Sequence, residues 1–417
     1  MVMKKILYVL HSGVTGGTFL TNMDLMMNVE KEYEIYLLTA EDDDFKVYEY
    51  FEKELKFIKK YPRHLKLNVP IDDSDIDFHV WNAAEFHNSW FSFIYFDILT
   101  KFNIDIVHIR HLINHSLDLP QVAKKLGIPV MMSFHDFYFI CPFYVLLDEN
   151  KQYCAGRCSD NNHNCYCPME PLENIHSKEI ISVWRENVLE MFSYVDCFVT
   201  TSEIVKKLFL DIYSDKNVIN SDNFKVIEHG RDFPELDKTY YEIPTFKKPI
   251  KILCHANHLN VMKGSELIKN IKMEDKNDFI EFHFLGNCHD GLENYGISHG
   301  TFQRNDFSNM VAKIKPSFIG IFSIWPETFC HTLTESWSCG IPVIGTDIGV
   351  IEDRIVKNNG GWIIDRNNPK MIFNLLEDIV ENDKYLEMAE IVSKIPLKDT
   401  KEMAAEYLQI YDLMLNE

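Results

Sequence analysis

The sequence predicts an α/β chain with two parallel-sheet domains in series, and three observations predict it. At 417 residues the chain is long for one hydrophobic core, so two domains of roughly 200 residues are expected. Short, nearly continuous apolar runs alternate with stretches of helical spacing, the pattern of a parallel sheet covered on both faces. The alternation stops near residue 232 and restarts near 249.

In the first half the β-rich runs are "KILYVL", "YEIYLLTA", "IDIVHIR", "IPVMMSFHD", "DCFVTTS" and "KVIEHG". Helical spacing separates most of them, as in "WNAAEFHNSWFSFIYFDILTKF" and "SLDLPQVAKKLG". "RDFPELDKTYYEIPTFKKP" is charged, proline-punctuated and aperiodic, which reads as a linker over 233–248. The second half repeats the scheme with "IKILCHA", "IEFHFLG", "SFIGIFS", "IPVIGTD" and "GGWIID". The expected boundaries are 1–232 and 249–399, followed by an amphipathic helix over 400–417 that can pack back on the first domain.

Composition narrows the function. Charged residues make up 25% and hydrophobic residues 46%, ordinary for a globular protein, but 63 acidic against 42 basic side chains leave a net charge of −21. A nucleic-acid binder carries a basic face, so that class is disfavoured. No apolar run reaches the ~18 residues of a membrane span. The opening "MVMKKILYVLHSGV" has too short an apolar part for a signal peptide and reads as a first strand; a cytoplasmic location is expected. "LKFIKKYPRHLKL" (55–67) reads as a helix end followed by a strand, in preference to a peripheral contact with an anionic membrane.

Ligands of open α/β sheets bind beyond the carboxyl ends of the strands, so those ends hold the candidates. After the first strand, "HSGVTGGTFL" offers Gly13, Gly16 and Gly17, either as a tight turn or as a close backbone approach to an anion at a helix start. Their spacing is not G-x-G-x-x-G, which disfavours a nicotinamide enzyme. "SFHDFYFICP" presents His135 and Asp136 at a strand end, as structural or catalytic groups. "CHANHLNVMKGSELI" puts Lys263 and Gly264 at a helix start, a solvated lysine or a cation with free backbone N–H groups for a diphosphate.

"PETFCHTLTESWSCGIPVIGTDIG" places Glu327 and Glu335 eight residues apart. They are an acid/base pair, two acceptors at opposite ends of a long ligand, or surface charge. If 327–335 is mostly helical, the carboxylates lie about 12 Å apart along the axis. Glycosidase pairs lie roughly 5–9.5 Å apart, so the wider spacing favours two hydroxyl-bearing groups joined by a charged linker, as in a nucleotide sugar.

This segment resembles the E-x7-E segment of family-4 retaining glycosyltransferases, whose GT-B fold has two facing Rossmann-like domains with parallel sheets and a C-terminal helix. The glycine turn, "SFHDFYFICP", "KVIEHGRD", the Lys263-Gly264 pair and the closing helix extend the resemblance over nearly the whole chain. It implies retaining transfer from a nucleotide-diphosphate sugar to a hydroxyl on a sugar, glycan or glycolipid, in polysaccharide or glycoconjugate biosynthesis, with no catalytic metal. By the same resemblance Glu327 contacts the donor sugar and Glu335 the ribose. His135 reaches the transferred sugar, and Gly16 and Gly17 line the diphosphate. Lys263 and Gly264 hold the diphosphate, and Thr328, Phe329 and Cys330 form a loop that donates backbone N–H groups. Two positions depart from the family pattern: His258 stands where an arginine is usual, and Cys330 where glycine is frequent. A nucleotide-sugar epimerase and a catalytically silent binding subunit are the alternatives on the same scaffold.

One cluster lies outside this scheme. "YCAGRCSDNNHNCYCP" brings Cys154, Cys158, Cys165 and Cys167 into 14 residues, with Cys141 and His163 nearby. Four thiols in a turn-rich stretch suit a structural zinc; reduced thiols and disulfides are the alternatives.

Overall fold

The computed structural model describes residues 3–13, 16–41, 43–63, 86–157, 177–213, 217–235 and 240–416. The chain divides into two compact units. The first comprises 1–144, 155–232 and 398–417, and the second 145–154 and 233–397.

Eight strands form the first unit's sheet: β1 Lys4–Leu10, β2 Tyr33–Glu41, β3 Asp44–Phe51, β4 Glu54–Pro62, β5 Ile106–Ile109, β6 Val130–Ser133, β7 Cys197–Thr200 and β8 Phe224–Val226. Their order is β4-β3-β2-β1-β5-β6-β7-β8. From β2 to β8 the neighbours are parallel, while β3 and β4 add an antiparallel edge. That hairpin corrects the expected helix end within 55–67. Residues 54–62 are strand, joined to β3 by Glu52 and Lys53 with φ of 50° and 67°. Two consecutive left-handed residues make the tight turn that matches strand twist, and Glu-Lys lacks the Asn-Gly signature that advertises it.

The helix Thr400–Asn416 packs into this unit, with Met403, Ala404, Tyr407 and Tyr411 buried against Ile6, Tyr8, Leu25 and Met26. Tyr411 Oη lies 2.6 Å from His108 Nδ1 and 3.1 Å from Tyr8 Oη, so the helix is tied to the sheet by polar as well as apolar contacts. At Gly230 a Cβ would sit 1.9 Å from the Asp399 carbonyl oxygen, so "EHGRD" takes a glycine where the returning chain passes.

The second unit has six parallel strands: β9 Ile250–Leu259, β10 Ile280–Cys288, β11 Ile297–Ser298, β12 Phe318–Ile321, β13 Val343–Thr346 and β14 Gly361–Ile364. Their order is β11-β10-β9-β12-β13-β14. Tyr240 and Tyr241, from the stretch read as a linker, pack into this unit's core. In both sheets the strand order reverses beside the unit's first strand, between β1 and β5 and between β9 and β12. Such switch points leave a crevice at the carboxyl ends, where ligands bind in open α/β sheets.

Candidate functional site

At the second unit's switch point, β9 leads through a one-turn 3-10 helix, Val261–Lys263, into the helix Ser265–Glu274. Gly264 joins them at φ 81°, and a Cβ there would meet the Phe322 carbonyl oxygen at 1.9 Å. The residue must therefore be glycine on two counts, handedness and space. The backbone N–H groups of Lys263, Gly264 and Ser265 donate to Asn260 and Val261 within the turn. The N–H groups of these three residues are thus used within the turn, and the lysine side chain reaches toward Glu327.

Lys263 Nζ lies 2.7 Å from Glu327 Oε1. The same carboxylate oxygen accepts from Ser323 Oγ at 2.7 Å, and the ammonium lies 5.6 Å from the centre of the Trp325 ring. Burial works against charge on both partners, but their attraction outweighs it. The Lys263 ammonium is held above its ordinary range and the Glu327 carboxyl below its own. Glu335 and Cys330 also act electrostatically on Lys263, so the E-x7-E carboxylates share one cation's field.

The condition behind the 12 Å estimate, a mostly helical 327–335, is met only from His331 onward. Glu327 sits in a loop at φ 45°, and the helix begins only at His331, running His331–Ser338. Cys330 caps that helix in the left-handed conformation, φ 64°, which glycine adopts more readily than a residue with a Cβ. Its buried thiol is pushed up to about 12 by burial and by Glu327, so it stays protonated. Thr328 and Phe329 are buried in the same loop.

Arg354, not anticipated from sequence, fixes this loop. Its guanidinium donates to the Phe329 carbonyl at 2.7 Å, to the Cys330 carbonyl at 3.3 Å and to Thr334 Oγ1 at 3.0 Å. The guanidinium carbon lies 4.0 Å from the Phe329 ring centre. The carbonyls are thus tied down on the side of the helix Gly349–Asn358, which carries Arg354. His258, by contrast, does not join the Lys263 pair: it is exposed, with Nδ1 3.0 Å from His289 Nε2. His255 also escaped the sequence reading; its Nε2 lies 3.0 Å from Glu335 Oε2.

In the first unit, the switch point gathers more histidines than His135 alone. His135 stacks on His229 with ring centres 5.2 Å apart, and burial, then Arg110 and His229, hold it well below its ordinary range. It is a neutral imidazole. Asp136 accepts from the Tyr138 backbone N–H at 2.9 Å and lies 2.9 Å from His111 Nε2. The Ile113 backbone N–H donates to His111 Nδ1 at 3.0 Å, which fixes the tautomer with its proton on Nε2, toward Asp136. His11 packs edge-on to His111 at 4.6 Å, and burial, then His111, lowers it to about 3. Gly16 is extended and precedes the helix Gly17–Val29; a Cβ on Gly16 or Gly17 would meet nothing within 4 Å. Among the described residues, packing does not require those two glycines. Gly13 differs, since a Cβ there would meet Glu41 Oε1 at 2.2 Å.

Of the cysteine cluster, Cys154 is described, whereas Cys158, Cys165 and Cys167 lie outside the described residues. Among the described residues no three metal-ligating side chains are grouped, and no helix is long and apolar enough to cross a membrane.

Residues 244–394 match the family model described as "Glycosyl transferases group 1". No curated protein sequence matches the chain significantly. Solved structures match over its whole length. Sucrose-phosphate synthase from Thermosynechococcus elongatus superposes with a TM-score of 0.62 at 12% identity, covering 99% of each chain. Anabaena HepE in complex with UDP gives 0.59 at 11% identity, covering 98% of this chain and 100% of that one. The catalytic domain of starch synthase IV from Arabidopsis thaliana, bound to ADP and acarbose, gives 0.59 at 12% identity with both chains fully covered. The chain therefore has the two-domain α/β GT-B fold of these glycosyltransferase structures, and its second unit carries the match to glycosyl transferases group 1.

Proposed function

We propose that the protein transfers a glycosyl group, with retention, from a nucleotide-diphosphate sugar to a hydroxyl acceptor in polysaccharide or glycoconjugate biosynthesis. The observation that carries this reading is the Lys263–Glu327 pair at the second switch point, with Glu335 in the same field. A diphosphate offers Lys263 more negative charge than one carboxylate does, so the ammonium exchanges Glu327 for phosphate. The released carboxylate then accepts from a sugar hydroxyl, a charge-assisted bond. Gly264 sets the turn that carries the lysine, and Glu335 accepts from the ribose. The UDP and ADP held by HepE and by starch synthase IV support this chemistry in the fold.

In this reading the acceptor hydroxyl attacks on the face that the diphosphate leaves, and the departing phosphate oxygen takes its proton. No side chain need act as base, and the rate rests on positioning and on stabilising the leaving diphosphate. His135, held neutral, suits a hydrogen bond to the transferred sugar, and Gly16 and Gly17 suit a backbone approach to the diphosphate.

The test is a panel of nucleotide sugars incubated without acceptor. Slow release of a nucleoside diphosphate and a free sugar of unchanged anomeric configuration supports the proposal. A released epimer points to an epimerase, and binding without turnover points to a silent subunit.

A further inference from the structure

The His255 imidazole is an unforeseen part of the second unit's switch point. It stands on β9, 4% exposed, with the Phe307 ring centre 4.4 Å away and Phe302 6.4 Å away. Its Nε2 lies 3.0 Å from Glu335 Oε2, and its Nδ1 is buried with no hydrogen-bond partner among the described residues. Leaving a ring nitrogen unpartnered in the interior is costly, and a fold that needed only volume here would place phenylalanine or leucine. What the imidazole adds is one donor, aimed at one carboxylate oxygen from a ring that two phenyl groups hold in place.

We infer that His255 is a positioning residue that orients Glu335 for the ribose hydroxyls of the donor and thereby sets selectivity for a ribonucleotide. The inference rests on the donor reading above and adds to it. Glu335 sits on the helix His331–Ser338, and a carboxylate on a helix has several rotamers open to it. The bond from His255 Nε2 to Oε2 selects one and so fixes the direction in which the carboxylate meets the ligand. Without the imidazole, Glu335 keeps its charge but loses its fixed direction, so the ribose contact weakens while the diphosphate contact at Lys263 does not.

The test is calorimetric titration of UDP and ADP and of their 2′,3′-dideoxy counterparts into the full chain, for wild type, His255→Phe and His255→Gln. The wild type is expected to prefer the ribonucleotide. His255→Phe is expected to weaken ribonucleotide binding about tenfold and to leave the dideoxy affinity within about twofold, as the loss of one charge-assisted bond would. His255→Gln, whose amide nitrogen reaches the position of Nε2, is expected to restore most of the preference. The readout is a ratio of two affinities within one protein, so partial misfolding does not imitate it. Ribose-sensitive binding that His255→Phe leaves unchanged overturns the inference alone, as does a His255→Gln variant no better than His255→Phe. If the wild type binds neither UDP nor ADP, the donor reading itself fails.

Discussion

Lys263 and Glu327 form an ion pair 2.7 Å long in which the carboxylate is buried and the ammonium half-buried. Its contribution to stability has a defined pH window. Glu327 is depressed in the folded protein, so its contribution is present above the unfolded carboxyl value of about 4.3 and is lost as pH falls through the folded value. Lys263 is raised, so its contribution is present below about 10.4 and is lost as pH rises through the folded value. The pair is thus at full strength from about pH 5 to 10. Chemical denaturation of wild type and Glu327→Gln across pH 3–7 should show a stability difference that shrinks below about pH 4. A difference that does not change with pH would mean the pair is not ionised in the folded state.

The loop before the helix His331–Ser338 should respond in opposite directions to two substitutions. Cys330→Gly removes a side chain from a left-handed residue, and the relief of about 1–2 kcal/mol is partly offset by the flexibility glycine adds to the unfolded chain. A net gain of up to about 1 kcal/mol is expected. Arg354→Met strands the Phe329 and Cys330 carbonyls, and a loss of about 1–3 kcal/mol is expected. Thermal and denaturant unfolding of the two variants reads both signs.

Tyr411 tests the role of the closing helix in the first unit. Tyr411→Phe keeps the ring but leaves His108 Nδ1 and Tyr8 Oη without that hydroxyl in a fully buried setting. A loss of about 1–3 kcal/mol is expected, with nucleotide affinity unchanged. A neutral substitution would mean that the Tyr411 hydroxyl does not help to hold the helix.

Much of this was legible in the sequence, for physical reasons. Parallel strands buried on both faces read as apolar runs, so β1, β2 and β5 to β7 stood out, as did β9, β10 and β12 to β14. The β3–β4 hairpin did not, because Glu52 and Lys53 adopt left-handed turn conformations that their side chains do not announce. At the site, Glu327, Glu335 and Lys263 were marked by spacing and by chemistry unusual at strand ends. Arg354 and His255 were hidden because each acts through long-range contacts: Arg354 on a loop some 25 residues away and His255 on a carboxylate 80 residues away. A buried arginine inside "GVIEDRIV" and a histidine among the apolar residues of β9 were the available signals, and each also fits an ordinary core or surface position.

For the cysteine cluster the expected result is about one equivalent of zinc per chain in elemental analysis of the purified protein. Cleavage by a protease between 154 and 167 should become faster after chelation. Protein free of zinc, with this segment equally resistant before and after chelation, would retire the zinc reading.

The most direct test of the donor account compares turnover with nucleoside diphosphate affinity in Glu327→Gln. The account assigns Glu327 to the sugar and Lys263 to the diphosphate, and the two side chains hold each other at 2.7 Å. Removing the carboxylate's charge should cost turnover about a hundredfold or more, since one charge-assisted bond to the reacting sugar is lost. It should leave nucleoside diphosphate binding unchanged or tighter, since Lys263 no longer has to exchange a carboxylate for phosphate. Equal losses in turnover and affinity, or full turnover in the variant, would contradict the account.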